Sequence, residues 1–237
     1  HTEEGSFDGM ENGKEDDSMQ AQTEESIRRR LELMQSEKQD FSYLLSQNKR
    51  PTAVDLGNAA HRFLQFCDYA QVEAHGVRAE TERLVKEGFL DPHTAAILNQ
   101  RQAEAFFHSD LYRRIRASAD VRREVRFTSF LPLRNFTANP ELQNLLGDRT
   151  LYVQGSIDLL LENSDGALHI CDYKTDAVTP EERENPALLT AHMTERHGHQ
   201  LRQYAAAVRR MYGDRDITVG IYSLPLGKEI PIDLSPE

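Results

Sequence analysis

The stretch VQGSIDLLLENSDGALHICDYKTD, Val153 to Asp176, contains two apolar runs around a short polar segment. The segment Ser164–Gly166 has the composition of a three-residue hairpin turn with glycine in the left-handed position. Each apolar run is interrupted by an aspartate, Asp158 in the first and Asp172 in the second. The stretch therefore predicts two antiparallel strands, and it raises the question of why each strand carries an acid.

The length of the turn decides which residues of the two strands face each other. With three residues in the loop, Asn163 pairs with Ala167, which places Asp158 directly opposite Asp172 and puts Lys174 on the same face. A two-residue loop would shift the register by one and move the two aspartates to opposite faces. Directly opposed residues have Cβ atoms about 4.5–5.5 Å apart, where like charges destabilise a sheet. The three-residue turn therefore predicts a carboxylate pair that needs compensation.

Two opposed carboxylates can share a proton, pair with a base or bind a cation. Lys174 supplies one positive charge beside them. Two carboxylate oxygens aimed at one point also suit a hard divalent ion such as Mg²⁺ or Mn²⁺. From composition alone, a buried Asp–Lys ion pair without metal explains the pattern equally well.

The rest of the domain changes from helical to strand patterning and back. Residues 52–118 have helical spacing throughout, and residues 123–133 are rich in β-branched and aromatic side chains, which predicts a strand. A polar loop is expected over residues 134–149. After the strand pair, Thr179 is expected to cap a helix, and a helix is then expected to run through residues 197–213 to a stop at Gly213. Two strands follow in residues 216–226 and 228–234. This order predicts an α/β domain with a central mixed sheet covered by helices.

Three segments are expected along the chain of 237 residues. Residues 1–24 are polar and acidic, which predicts a disordered linker. Residues 25–50 have helical spacing at Ile27, Leu31 and Met34, which predicts a helical lead-in. Residues 51–237 form the folded domain. The chain begins with His rather than Met, which is expected of a piece of a longer protein and equally of a cloning remnant.

The formal net charge of −11 is concentrated at the start of the chain. Residues 1–25 carry nine acids and one base, so the other 212 residues have a net charge of only −3. A mildly acidic domain can still bind phosphates through a local basic patch or a bound cation, so the charge does not exclude a nucleic-acid partner.

The cysteines and the apolar runs bear on the compartment. Cys67 and Cys171 lie within apolar patterns, which predicts small core residues, and two cysteines are too few for a disulfide framework. No apolar run approaches the roughly 18 residues of a membrane span, and the acidic N-terminus differs from a signal peptide. We expect a cytoplasmic protein with no membrane contact.

Four motifs together resemble the RecB-type nuclease domain of the PD-(D/E)xK superfamily. They are GNAAHRFLQ from Gly57, GSID from Gly155, DYKTD from Asp172 and HQLRQY from His199. D-x-K alone is a weak signal, but four motifs in the family's order are a strong one. The likeness covers Thr52 to Leu234 and is closest to the C-terminal nuclease domains of the AddA family. It implies a restriction-endonuclease-like fold, with a central mixed β-sheet flanked by helices and an N-terminal helical region.

The resemblance also implies the metal site. It assigns Asp158 and Asp172 as acidic metal ligands and Lys174 as the lysine that orients or activates the attacking water. His61 and the backbone carbonyl of Tyr173 would complete the site. From the residues alone, a histidine beside an apolar helix face is more often a core residue, so the assignment of His61 rests on the resemblance.

Three further residues take roles from the resemblance. Gln200 and Tyr204 lie four apart on one helix face and match a motif near the scissile phosphate. Glu124 matches an accessory acid that reaches the metal through water. Core packing remains the alternative for Tyr204, and a solvated strand residue remains the alternative for Glu124.

The activity implied is Mg²⁺-dependent hydrolysis of DNA phosphodiesters, with Mn²⁺ as a substitute. In this family it is an exonuclease activity, in an ATP-dependent helicase–nuclease of double-strand break repair and recombination. The implied partners are a DNA single strand, a helicase domain upstream that feeds it, and an AddB-like protein. We expect no iron–sulfur cluster, because its cysteines are absent, and no ATP site, because no Walker sequence occurs. The alternative is a catalytically silent DNA-binding or interaction module on a nuclease scaffold.

Several arginines are candidate phosphate contacts in a protein that binds DNA mostly through its backbone. A solvated helix or strand charge is the alternative for each of them. They are Arg113, Arg114, Arg116, Arg122, Arg123, Arg202, Arg209 and Arg210.

Overall fold

A computed structural model describes residues 50–132, 139–147 and 149–234. The predicted acidic linker lies outside the described residues, and so does the helical lead-in apart from Arg50. The elements described below all belong to one compact unit that begins at Pro51.

Five helices precede the sheet. They are α1 (Ala53–Phe66), α2 (Tyr69–Lys86), α3 (Pro92–Ile97), α4 (Gln100–Phe107) and α5 (Asp110–Ala117). Each begins at a side chain that accepts a backbone N–H of the first turn, which satisfies donors that the helix itself cannot pair. These caps are Thr52, Asp68, Asp91, Asn99 and Ser109.

Five strands form one mixed sheet in the order of the chain. They are β1 (Asp120–Pro132), β2 (Thr150–Glu162), β3 (Leu168–Lys174), β4 (Ile217–Ser223) and β5 (Lys228–Pro231). The neighbouring pairs are antiparallel except β3 and β4, which are parallel. Between β1 and β2 the chain forms helix α6 (Pro140–Leu146) where we predicted only a polar loop. Asn139 as cap and Pro140 at the first helical position are the start signals that the prediction overlooked.

The parallel step from β3 to β4 passes through helices α7 (Pro180–Glu184) and α8 (Pro186–Tyr212). Thr179 caps α7 in a reciprocal arrangement with Glu182, so the predicted cap is confirmed. Helix α8 ends at Gly213, whose φ of 82° suits a glycine, so the predicted stop is confirmed as well.

The register of the β2–β3 hairpin is the predicted one. Leu159 pairs with Cys171 and Leu160 with Ile170. At the turn, the Asn163 N–H donates to the Ala167 carbonyl at 2.9 Å, and Gly166 has a φ of 85°. This is the three-residue loop, so Asp158 and Asp172 come next in register beyond the last paired residues.

The sheet separates two apolar layers. Helices α1 to α5 cover one face, where Leu159, Leu161 and Cys171 are buried with side chains of those helices. Helix α8 covers the other face, where Leu160 and Ile170 are buried. Both cysteines are free and buried, as predicted.

Strand β2 changes faces at Asp158. Leu159 packs in the α1–α5 layer, whereas Ile157, two residues earlier, packs in the α8 layer. Regular alternation would put both residues on one face. Asp158 lies between them, so its side chain does not follow the alternating pattern.

A buried polar network joins β5 to the rest of the sheet. The Glu229 carboxylate accepts from His169 Nε2 at 2.5 Å and from Arg114 Nη1 at 2.8 Å, and His169 Nδ1 lies 2.7 Å from the Thr218 hydroxyl. Gly220 makes this possible, because a Cβ there would lie 2.2 Å from Glu229 Oε1. The network therefore connects β3, β4, β5 and α5.

Within the described residues, no helix has the length and apolar character needed to cross a membrane.

Candidate active site

The backbone of Tyr173 is the centre of the site. Its N–H donates to Asp158 Oδ2 at 2.7 Å, and its carbonyl accepts from His61 Nε2 at 2.8 Å. These are the two groups that would otherwise pair with β2, because the β2–β3 ladder ends at Leu159 and Cys171. The strands therefore part at this point, and the gap between them receives side chains from β2 and α1.

His61 comes to this gap from helix α1. Its neighbours Ala59, Ala60, Phe63 and Leu64 are buried against the sheet, which fixes the rotation of the helix. His61 itself lies at the edge of that face, with 31% of its side chain exposed, and its Nδ1 lies 3.4 Å from Asp158 Oδ1. Because a carbonyl can only accept, the contact with Tyr173 requires the proton on Nε2.

Glu124 joins the same group. Ligand atoms of Glu124, His61 and Asp158 all lie within 4.8 Å of one another. Glu124 and Asp158 lie between the paired residues Arg123–Leu159 and Val125–Ile157 of β1 and β2. Glu124 has a φ of 52°, which is costly for a residue with a Cβ. The Ser156 hydroxyl holds its carboxylate at 2.8 Å. Strained backbone of this kind costs about 1–3 kcal/mol and is common at functional sites.

Asp172 and Lys174 form a second group of residues in the site. Asp172 is 1% exposed and makes an ion pair with Lys174. The Lys174 ammonium also donates to Gln200 Oε1 at 3.1 Å, and Gln200 Nε2 donates to the Tyr204 hydroxyl at 2.6 Å. Helix α8 therefore fixes the lysine through a chain of hydrogen bonds.

Tyr204 packs in the core and is also hydrogen-bonded to the site. It is 7% exposed, and its ring packs edge-on against Phe127 at 5.7 Å between centroids. Its hydroxyl belongs to the polar chain of Gln200. Burial first, and then the charge of Asp172, raise the pKa of the Tyr204 hydroxyl, so it remains protonated at neutral pH.

The charges of the site oppose one another. Burial, and then the charge of Asp158, raise the pKa of Asp172 to about 6, although Lys174 acts in the opposite direction. Burial by itself would lower the pKa of His61, but the hydrogen bond and charge of Asp158 outweigh it and raise that pKa. The site is therefore short of positive charge, which a divalent cation would supply.

The donors present fit a hard divalent ion. Ligand atoms of His61, Asp158 and Glu124 lie within 4.8 Å of one another, and the Tyr173 carbonyl lies 2.8 Å from His61 Nε2. Buried Asp172 Oδ2 faces the ammonium of Lys174 but accepts no well-aligned hydrogen bond. Carboxylate and carbonyl oxygens with one imidazole are a donor set that Mg²⁺ or Mn²⁺ accepts.

The structure brings all eight predicted site residues to one end of the β2–β3 pair, with one difference. We expected Asp158, Asp172 and Lys174 to stand on one face of the hairpin. Instead Asp158 points into the gap between the strands, where it accepts a hydrogen bond from the Tyr173 backbone N–H. It lies close to His61 and Glu124. Asp172 remains with Lys174 in the α8 layer, close enough for the Asp158 charge to raise its pKa.

The arginines predicted as phosphate contacts are mostly engaged elsewhere. Those of α5 and β1 pair with acids or carbonyls inside the domain, and Arg210 donates to the Phe130 carbonyl. Arg202 and Arg209 line cavities on the far side of α8. The internal pairs are Arg113–Asp110, Arg114–Glu229, Arg116–Glu73, Arg122–Asp120 and Arg123 with the carbonyls of Leu64 and Cys67.

Two other arginines face the site, and neither was predicted from the sequence. Arg62 and Arg196 line the same cleft as His61. A signal existed, because Arg196 lies four residues before Gln200 and therefore on the same face of α8.

Comparison with known proteins identifies the family of the chain. Residues 19–232 match the family model of the PD-(D/E)XK nuclease superfamily. Similar curated proteins are named as subunits of an ATP-dependent helicase/nuclease. The chain is 36% identical to that of Heliobacterium modesticaldum over 56% of this chain and 9% of the relative. It is 32% identical to that of Desulforamulus reducens over 71% of this chain and 13% of the relative.

A third relative, from Clostridium perfringens strain 13, carries the same name and is 26% identical over 98% of this chain. The chain spans only 17% of that relative's length. The similarity thus covers a limited part of each much longer relative.

Proposed function

The chain belongs to the PD-(D/E)XK nuclease superfamily, and we propose that it hydrolyses DNA phosphodiester bonds with a bound Mg²⁺ ion. The observation that carries this proposal is the convergence of His61, Asp158 and the Tyr173 carbonyl on one gap in the sheet, with the Asp172–Lys174 pair beside it. Mn²⁺ would occupy the same donors.

His61, Asp158, Asp172 and the Tyr173 carbonyl would hold the ion, with Glu124 as an accessory acid. When bound, such an ion lowers the pKa of water and neutralises phosphate oxygens. His61 can act as a ligand only as a neutral imidazole, through the ring nitrogen that carries no proton.

Lys174 would position the attacking water. Its ammonium lies between the Asp172 carboxylate and the Gln200 amide, so its direction is fixed before substrate arrives. As the phosphorus centre gains negative charge in the transition state, the fixed positive charge of Lys174 stabilises it. Gln200 and Tyr204 would lie near the scissile phosphate.

We further propose the biological setting. The relatives' shared name supports a nuclease domain in an ATP-dependent helicase/nuclease. In that setting the domain would act in the cytoplasm as an exonuclease on a DNA strand fed by a helicase domain, with an AddB-like partner, in double-strand break repair and recombination. Residues 51–237 would be the nuclease domain, preceded by a helical lead-in and an acidic linker.

The test is substitution of the buried acid. We expect Asp172→Ala to abolish Mg²⁺-dependent cleavage of a labelled single-stranded oligonucleotide, because a ligand and the lysine's partner are lost. The domain should stay folded, because the change relieves the repulsion between the Asp158 and Asp172 carboxylates. Cleavage is followed on a denaturing gel, and unfolding by circular dichroism.

Glu195→Ala is the matched control, since Glu195 is an exposed acid on α8. It should cleave like the wild type. A folded Asp172→Ala variant that cleaves at the wild-type rate would contradict the proposal. A wild type that binds DNA but neither cleaves it nor binds Mn²⁺ would favour the silent module.

A further inference from the structure

A cleft opens beside the site between helices α1 and α8. It has a volume of about 840 Å³ and is lined by the start of α1, by the segment after β3 and by Arg196 of α8. His61 lines it as well, so the cleft is continuous with the donor group. Its volume lies in the range of about 300–1,000 Å³ typical of ligand sites.

The lining of the cleft suits a sugar–phosphate backbone. It offers two guanidinium groups, from Arg62 and Arg196, together with the polar side chains of Asn58, Gln65 and Thr175. Side chains of these types make many of the hydrogen bonds between proteins and the phosphate and sugar groups of DNA. Among the described residues that line it there is no Phe, Tyr or Trp on which a base could stack.

Arg196 is held ready for such a contact. Its Nε lies 3.0 Å from Asp176 Oδ1, and the side chain is 61% exposed. Asp176 is itself only 10% exposed and is fixed from its other oxygen by His197 Nε2 at 3.2 Å. The ion pair is made through Nε. Within the described residues the two terminal nitrogens make no hydrogen bond, so both are available to bind phosphate oxygens as a fork.

Arg62, on the opposite wall, is more fully engaged. It donates to the Phe89 carbonyl at 3.2 Å and lies over the Phe66 ring at 5.3 Å. Arg196 is therefore the cation of the cleft that is both fixed in place and free to bind.

We propose that the α1–α8 cleft is a subsite for a backbone phosphate of the DNA strand next to the one that is cleaved, and that Arg196, positioned by Asp176, grips that phosphate. This inference rests on the proposed nuclease function, since it names a second contact of the same substrate. It concerns binding of the strand, whereas Lys174 and its neighbours act at the reacting phosphate.

The test separates binding from cleavage. Affinity of the 237-residue chain for a labelled single-stranded oligonucleotide is measured by fluorescence anisotropy in Ca²⁺, with a gel to verify that the DNA stays intact, over a series of salt concentrations. We expect Arg196→Ala to weaken binding about tenfold. The slope of log affinity against log salt should become shallower by about 0.7, the value for one phosphate contact on a single strand.

Two variants complete the design. Arg196→Lys keeps the charge and should restore the salt slope, while Arg101→Ala removes an exposed arginine of α4 and should leave affinity and slope unchanged. Cleavage in Mg²⁺ at saturating DNA should stay within about threefold of wild type for Arg196→Ala, because the residue does not touch the reacting phosphate.

The outcomes distinguish the two proposals. Equal affinity and equal slope for wild type and Arg196→Ala would overturn the subsite, and so would an equal loss in Arg101→Ala. If the wild type binds DNA but does not cleave it in Mg²⁺, the nuclease proposal fails, while the salt slopes still decide the role of Arg196.

Discussion

Single residues of the site owe their positions to hydrogen bonds that cross between elements. Lys174 illustrates this, because the strand alone would leave a lysine free to rotate. Its ammonium is instead held between Asp172 and Gln200, and Gln200 is held in turn by Tyr204. The lysine is thus positioned partly by a residue 26 positions away along the chain.

This arrangement predicts a positioning role for Gln200. Gln200→Ala should lower the cleavage rate at saturating DNA by about 10–100-fold, the usual effect of losing a residue that orients a catalytic group. DNA affinity in Ca²⁺ should change little, because the backbone contacts remain. Gln200→Glu, which keeps an acceptor for Lys174, should recover part of the rate. Single-turnover cleavage measures the effect, and a large loss of affinity with an unchanged rate would contradict it.

The residue level is also where sequence reasoning reached least far. The positive φ of Glu124 and the gap between β2 and β3 depend on contacts with Ser156, Asp158 and Tyr173 that no local pattern announces. Arg196 was missed for a related reason. Its significance comes from Asp176, which lies outside helix α8 and 20 residues earlier in the chain.

At the level of elements, the hairpin was predictable because turn chemistry fixes register. Ser164–Gly166 determined which residues of β2 and β3 pair, and the structure has that register. The mixed sheet and its helical cover also follow from patterning. Helix α6 was not predicted, since seven residues are too few for a clear helical period.

The network around Glu229 predicts a pH-dependent contribution to stability at the β5 edge. Burial would raise the pKa of this carboxyl, but His169 and then Arg114 outweigh it and lower the pKa below its ordinary 4.5. A lowered folded-state pKa stabilises the fold above the unfolded value, and this stabilisation is lost as the pH falls through the folded value.

Glu229→Gln should therefore lower the free energy of unfolding at pH 7 by about 1–3 kcal/mol. The difference between variant and wild type should shrink as the pH falls below about 4.5, where the wild-type carboxyl gains its proton. Urea unfolding at several pH values measures this. Glu104→Gln, which changes an exposed glutamate of α4, is the control and should have the unfolding free energy of the wild type. A difference in unfolding free energy between Glu229→Gln and wild type that stays constant with pH would contradict the stabilising role of the ionised Glu229.

At the level of the whole molecule, the site links two layers that otherwise touch opposite faces of the sheet. His61 belongs to the α1–α5 layer, and Gln200 and Tyr204 belong to α8. A bound ion would connect these layers through His61 and the two aspartates. Because a ligand that binds only the folded state stabilises it, ion binding should raise the free energy of global unfolding.

We expect Mn²⁺ to raise the free energy of unfolding by about 2.7 kcal/mol when its concentration is 100 times the dissociation constant. Asp158→Asn should lose this gain, because it removes a charged ligand. Each protein is compared with its own metal-free melting curve, so any direct effect of the substitution on stability cancels. Calorimetric titration gives the dissociation constant independently. An equal Mn²⁺ gain in Asp158→Asn would place the ion elsewhere.

The part that Tyr173 plays has a consequence for how this site can vary. What it gives to the gap is a carbonyl and an N–H, which nineteen of the twenty amino acids supply equally, and even proline keeps the carbonyl. Its ring instead packs among Phe106 and Tyr222 in the helical layer. A codon change at this position can therefore disturb packing, but it cannot delete the oxygen. A point mutation therefore cannot remove the backbone carbonyl at position 173, whereas a single substitution can remove the side chain of His61, Asp158 or Asp172.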